Sequence, residues 1–376
     1  MGEERLRLAF IKKQFIPHGG GERYLQTLMT GLRERGHDLH IYASAWSAQK
    51  GVTFHEIRTL SLTSHLSTVT FARNACRQLR GSERPDCVVS FERTDCQDIY
   101  RAGEGCHAEW LRIRSRFAPL HKRLSFRLNP LHRSLLRLER ALFSHTPLIV
   151  TNSAMVSTQI REHYPVPEER IRILYNGVDL VRFSPDNRAR FRAALRGSLG
   201  LSADTPVLLF IGSGFERKGL RTVIAGLSYL EDRNMRLLVV GRGDAGPSRS
   251  LAESLGIGGR VLFLGAQADV VPFYSAADLF VLPTWYDPFS NATLEAMASG
   301  LPVITTANNG VSELITNGRE GHVMRTLSDP RELADLVDRS RGNLLAMGTR
   351  ARLRAEEFSI ERAVNEFTCL IGEDRP

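Results

Sequence analysis

Short apolar runs alternate with helical patterns along the whole 376-residue chain. Leu6 to Ile11, Val207 to Ile211, Leu237 to Val240, Arg260 to Gly265 and Leu279 to Leu282 read as strands. Tyr24, Leu25, Leu28 and Leu32 recur at helical spacing after the first of them, and Thr293 to Ala298 forms a second helix-like segment. Strand and helix in alternation predict an α/β architecture with parallel sheets. A chain of this length with 42% hydrophobic content can bury two cores, and its 31 Gly and 16 Pro are ordinary for a globular protein. Asn176-Gly177, inside Leu174 to Asp179, is a turn signal that places a hinge there. The expected division is 1–174 and 175–359, followed by a last helix over 360–371.

Three loops at predicted strand ends carry the candidate chemistry. The run Leu279 to Leu282 leads into Asp287-Pro-Phe289-Ser290-Asn291-Ala-Thr-Leu-Glu295, an acidic pair separated by seven residues with a helix starting between them. A helix N-terminus offers unpaired N–H groups and a positive dipole end, so anionic oxygens are its natural guests. The run Val207 to Ile211 ends in Gly212-Ser213-Gly214-Phe215-Glu216-Arg217-Lys218-Gly219. Glycines let the backbone approach a phosphate, and two adjacent cations neutralise a diphosphate leaving group. Only five lysines occur in the chain, and Lys218 is the sole one in the C-terminal half. A scarcity that extreme marks the position, although a solvated lysine remains the plain alternative. The third loop is Phe15-Ile16-Pro17-His18-Gly19-Gly20-Gly21, between the first strand and its helix, the opening of a nucleotide-binding βαβ layer.

Together these loops resemble the retaining glycosyltransferases of family 4, whose signature is a Glu-x7-Glu pair and whose fold is GT-B, two Rossmann-like domains facing a central cleft. The loop G-S-x-F-x-R-K-G looks like the WaaG-like branch of lipopolysaccharide core glucosyltransferases. Two departures stand out: Asp287 replaces the first Glu, and Ser213 occupies a position that is usually Arg, with Arg217 supplying the charge instead. The segment Arg35 to Trp46 matches the family's second strand. By resemblance Asp287, Phe289, Ser290 and Asn291 hold the donor sugar, and Glu295 holds the nucleotide ribose. Gly212, Ser213, Arg217 and Lys218 meet the diphosphate, Gly241 and Leu264 line the nucleotide pocket, and Gly19, Gly20 and Gly21 approach the donor across the cleft. His107 is the candidate for touching the transferred sugar, with His18 as its rival. The final helix would cross back to the first domain.

A competing motif, Gly241-Arg242-Gly243-Asp244-Ala245-Gly246, fits the dinucleotide fingerprint G-x-G-x-x-G. The strand after it ends in Ala266-Gln267, without the acid that would hold a ribose, so a dehydrogenase is set aside. The five cysteines are odd in number and show no C-x-x-C, which suggests neither zinc nor a disulfide framework and suits a reducing cytoplasm. No D-x-D occurs, so no metal and no cofactor is implied. The start M-G-E-E-R carries no leader, and no apolar run is long enough to span a bilayer.

Charge is uneven. Residues 1–180 hold 27 Lys plus Arg against 18 Asp plus Glu, whereas residues 181–376 hold 23 of each. The excess concentrates between Trp110 and Phe143, where Arg112, Arg114, Arg116, Lys122, Arg123, Arg127, Arg133, Arg137 and Arg140 interleave with apolar residues. This reads as an interfacial segment on anionic lipid or a patch for a phosphorylated acceptor; no nucleic-acid motif accompanies it. The resemblance and the charge together imply a metal-independent hexosyltransferase, peripheral on the inner face of the plasma membrane. It would move a hexose, glucose favoured, from a UDP-sugar to a lipopolysaccharide core or other lipid-linked glycan. A sugar-nucleotide epimerase and a non-catalytic membrane or glycan-binding protein of the same fold are the alternatives.

Overall fold

The computed structural model describes residues 5–14, 20–46, 50–81 and 83–373. Gly19 and His18 fall outside them. In chain order the first part comprises β1 (Arg7–Ile11), α1 (Gly20–Glu34), β2 (Asp38–Ala43), β3 (Val52–Glu56), α2 (Ser64–Arg80), β4 (Cys87–Ser90), β5 (Ile99–Ala102), α3 (His107–Phe117), α4 (Leu120–Leu128), α5 (Pro130–His145), β6 (Leu148–Thr151), α6 (Ala154–His163) and β7 (Ile171–Ile173). There follow α7 (Asn187–Ser198), β8 (Val207–Ile211), α8 (Leu220–Tyr229), β9 (Arg236–Val240), α9 (Gly246–Ser254), β10 (Val261–Gly265), α10 (Val271–Ala276), β11 (Leu279–Leu282), α11 (Asn291–Ala298), β12 (Val303–Thr306), β13 (Gly321–Met324), α12 (Pro330–Ser340), α13 (Leu344–Glu356) and α14 (Ile360–Glu373).

Two compact units result, Met1–Asn176 with Glu361–Pro376, and Gly177–Ile360. The first contains a seven-stranded sheet in the order β3-β2-β1-β4-β5-β6-β7, and the second a six-stranded sheet in the order β10-β9-β8-β11-β12-β13. Every strand pairing in both is parallel. Both units are thus Rossmann-like, and each sheet reverses its order beside its first strand, between β1 and β4 and between β8 and β11. In such sheets ligands bind outside the carboxyl ends of the strands at that reversal.

The apolar runs explain the layering. Successive side chains of a strand point to opposite faces. In β1, Leu8 and Phe10 join one buried cluster with Leu25, Leu28 and Leu32 of α1, while Ala9 and Ile11 join another with Phe71 and Ala75 of α2. Helices therefore cover both faces, which is why the strand reads as continuously apolar. Ala363, Val364, Phe367 and Ile371 of α14 complete the first of these clusters. Helix starts follow local chemistry: the side chains of Thr63, Ser153, Ser290 and Asp329 accept backbone N–H bonds at the heads of α2, α6, α11 and α12.

The cysteines correct the sequence reading. Cys76 on α2 and Cys96 in the β4–β5 loop form a disulfide, with Cα atoms 5.6 Å apart. Twenty residues separate them, and no local spacing signals the pair; packing of the helix against the loop makes it. Cys87 and Cys106 are buried thiols and Cys369 is an exposed one. Among the described residues no helix is long and apolar enough to cross a membrane.

Candidate active site

Two of the sequence-flagged loops meet at the reversal of the second sheet. The loop after β8 folds on itself: the amides of Lys218, Gly219 and Leu220 donate to the carbonyls of Gly214, Glu216 and Phe215, each at 3.1 Å. Phe215 is buried edge-on against Phe210, anchoring the turn. Gly219 sits at φ +79° with the Pro283 carbonyl oxygen 2.0 Å from where a Cβ would lie, so no side chain fits where this loop crosses the one after β11. The two loops are then sewn together. Arg217 donates from Nη1 to the Tyr286 carbonyl at 2.8 Å, and its own carbonyl accepts from the Trp285 amide at 2.8 Å and the Thr284 hydroxyl at 3.1 Å.

This stitching brings Lys218 and Asp287 into a direct ion pair, both side chains nearly buried. Burial lowers the lysine's pKa; the neighbouring carboxylate opposes that shift and Arg217 adds to it. The Asp287 backbone is fixed in turn, its amide donating to the Asn308 carbonyl at 2.9 Å and its carbonyl accepting from Gly310 at 3.0 Å.

Phe289 and Ser290 are buried beside it. Ser290 caps α11, accepting from the Thr293 amide at 3.3 Å, while its own amide donates to Asn309 Oδ1 at 3.1 Å. Asn291 opens the helix, half-buried. One turn on, Glu295 is half-buried and accepts a bond from the buried Tyr274 hydroxyl at 2.9 Å. Asn308, Asn309, Gly310 and Tyr274 escaped the sequence reading. Asn-Asn-Gly one residue beyond β12 was the available signal, since such residues make turns by bonding nearby backbone.

Gly212 is half-buried, and Ser213 is exposed with its hydroxyl accepting from the Arg242 amide at 3.3 Å. Gly241 lies at the end of β9 with φ +140°, and a Cβ there would stand 2.0 Å from the Gly212 carbonyl oxygen. The glycines of the dinucleotide-like motif therefore let neighbouring loops close on one another. Leu264, half-buried in β10, accepts a bond from Gln267 through its carbonyl at 2.6 Å.

His107 lies in the first unit, at the start of α3. Its backbone N–H donates to Glu139 at 2.7 Å and its Nε2 lies 3.1 Å from His132 Nδ1. Burial first, then the positive charges of Arg93 and His132, push its pKa down to about 3, so the ring is neutral at ordinary pH. Glu139, wholly buried, also accepts from Ala108, Arg93 and the Tyr164 hydroxyl. A buried carboxylate serving four donors anchors the helix that presents His107. Gly20 and Gly21 begin α1.

Comparison with known proteins agrees with this fold. Residues 18–182 match the family described as Glycosyltransferase Family 4, and residues 205–341 match Glycosyl transferases group 1. Lipopolysaccharide glucosyltransferase WaaG of Escherichia coli (strain K12) is 28% identical over 339 residues, 88% of each chain. Lipopolysaccharide core biosynthesis glycosyltransferase LpsE of Rhizobium meliloti is 26% identical over 362 residues, 94% of this chain and 93% of LpsE. A crystal structure of WaaG superposes with a TM-score of 0.84 at 25% identity, covering 97% of this chain and all of that one. The Anabaena HepE structure with UDP and glucose shares the fold at a TM-score of 0.75 and 18% identity, over 98% and 100% of the two chains. Family matches in both units, two parallel Rossmann-like sheets and the stitched loops at the second reversal lead to one conclusion: the chain belongs to the GT-B glycosyltransferases.

Proposed function

We propose that the protein is a retaining hexosyltransferase that takes glucose from UDP-glucose and delivers it to a lipopolysaccharide core or a similar lipid-linked glycan. The observation that carries this reading is the Lys218–Asp287 pair, held between a glycine-rich loop and a helix N-terminus at the reversal of the second sheet. A UDP-sugar presents a diphosphate to Lys218, Arg217 and the amides at the loop, and sugar hydroxyls to Asp287. As the bond from anomeric carbon to phosphate oxygen breaks, negative charge grows on the diphosphate, and the fixed cations stabilise it without reorganising. The acceptor hydroxyl oxygen bonds to the anomeric carbon on the face from which the diphosphate departs, and the departing phosphate oxygen accepts that hydroxyl's proton, so configuration is retained. Glu295, steadied by Tyr274, is placed to accept from the ribose hydroxyls. The inventory assigns these tasks to side chains and needs no metal.

The acceptor assignment draws on the lipopolysaccharide enzymes WaaG and LpsE, which the chain resembles over most of its length. Helix α4 supports work at a membrane surface. None of its residues is buried, and Leu120, Leu124 and Leu128 are 79%, 57% and 63% exposed at successive turns beside Lys122, Arg123 and Arg127. An apolar line flanked by cations suits an anionic lipid surface. The test is a panel of nucleotide sugars with a lipid-linked core acceptor, followed by NMR of the product's anomeric proton. Transfer from UDP-glucose with the donor's α configuration, undiminished by a chelator, is expected. An inverted product, or a donor that is only epimerised, overturns the reading.

A further inference from the structure

The Cys76–Cys96 disulfide is not used by the site described above, yet it fastens the segment 91–98, whose half-buried Glu92 and Arg93 are both ion-paired. Cys76 is buried on α2, whereas Cys96 is half-buried in the loop leading from β4 to β5. On that loop Glu92 accepts from the Lys13 amide at 3.1 Å and pairs with Lys12 at 3.3 Å, just past the end of β1. Arg93 pairs with Glu104 at 2.6 Å and Glu139 at 3.1 Å. Gln97 donates to the Thr146 hydroxyl at 2.6 Å. One loop thus ties the segments that follow β1 and β5 to α5, and among the described residues its one disulfide tether is the bond to α2. Asp95 Oδ1 stands 3.4 Å from Cys76 Sγ. A carboxylate there disfavours a thiolate on Cys76, which makes that sulfur a poor leaving group when a thiol attacks the more accessible Cys96.

We propose that Cys76 and Cys96 are a reversible thiol–disulfide site that takes small disulfides and thiols of the glutathione class and sets the order of residues 91–98. In closure, the Cys96 thiolate attacks oxidised glutathione and expels one glutathione thiolate. The Cys76 thiolate then attacks Cys96 of the mixed disulfide and expels the second. Two protein thiols are oxidised and one oxidised glutathione is reduced to two glutathiones. Opening is the reverse, driven by excess reduced thiol. The proposal concerns the loop alone and stands whether or not the glycosyl acceptor is as described.

The test incubates the full chain in graded mixtures of reduced and oxidised glutathione, quenches with an alkylating agent in denaturant, and counts labels by mass. The population should pass from three labels to five, matching the three free thiols and the five cysteines present, with the two extra labels mapping to Cys76 and Cys96. Backbone amide exchange over 91–98 should rise about tenfold on reduction, as for a segment released to open locally. Cys76→Ser and Cys96→Ser should each show that faster exchange in every mixture, and either variant suffices if the other fails to fold. Asp95→Asn should speed reduction by a few-fold through the leaving thiol's lowered pKa. Five labels in every mixture, three labels even in excess reduced thiol, or unchanged exchange over 91–98 on reduction would each overturn the proposal.

Discussion

At the end of β8 the chain makes a glycine-rich turn that leaves Lys218 facing Asp287, and at the corresponding end of β1 Lys12 faces Glu92. The surroundings differ. The β8 site is built of backbone that glycine allows to approach closely, with one lysine, one arginine and a capped helix start. Among the described residues the β1 site is made of side chains, with Arg93 bridging Glu104 and Glu139 and a neutral His107 against His132. Burial is the largest influence on Glu92, and it raises that carboxyl's pKa. One topology therefore supports two kinds of polar centre, and the strand order does not tell them apart; what the loops contain does. The β8 site pairs its one lysine with a carboxylate beside exposed glycine-rich backbone, whereas the core of the β1 site is spent on holding helices.

The comparison breaks most readily at Lys218. Lys218→Ala should lower turnover about a hundredfold to a thousandfold, and Arg217→Ala about tenfold, the range seen when one electrostatic stabiliser of a developing charge is removed. Steady-state kinetics with a saturating donor reads this, and near-normal turnover in both variants would remove the assignment. The opposite pattern belongs to the first unit. Glu139→Gln leaves buried donors poorly served and should cost about 3 kcal/mol of that unit's stability, seen as a lower denaturant midpoint, while UDP affinity is preserved. A normal midpoint would mean the carboxylate is not holding α3 and α5 together.

Helix α4 sharpens the contrast at the surface. Changing Leu120, Leu124 and Leu128 together to Ser should weaken binding to anionic vesicles by about a hundredfold, since a fully buried leucine contributes about 1.5–3 kcal/mol and these insert only in part. High salt should release the unaltered protein by screening its cations. UDP binding, read by calorimetry, should not move in either experiment; vesicle binding indifferent to both would assign the basic face elsewhere.

The smallest expected effect is a shift with pH. Burial lowers the pKa of Lys218, so its charge is lost as pH rises through a value below the ordinary lysine range, and UDP affinity should fall on the alkaline side. The Asp287 carboxylate opposes the lowering. Asp287→Asn should therefore move the alkaline loss to lower pH, while at neutral pH UDP, no longer competing with a carboxylate for the lysine, binds at least as well. An alkaline limb that does not move would show that the pair is not electrostatically linked.

Local order in the sequence went a long way. The strands at Val207 to Ile211 and Leu279 to Leu282, the helix read as Thr293 to Ala298 and found as Asn291–Ala298, and the glycine-rich turns were legible, because each depends on side-chain periodicity or turn chemistry within a few residues. The basic run from Trp110 to Phe143 was equally plain as composition. What sequence did not disclose is which distant groups meet. Lys218 and Asp287 lie 69 residues apart and were given separate tasks, diphosphate and sugar, yet they hold each other. Asn309 reaches Ser290 across 19 residues, Glu139 caps α3 from 32 residues away, and Cys76 finds Cys96 across 20. In a parallel sheet every neighbouring strand is joined by a crossover, so the loops that form a site are far apart in sequence and their side chains become partners only after the strands have taken their places.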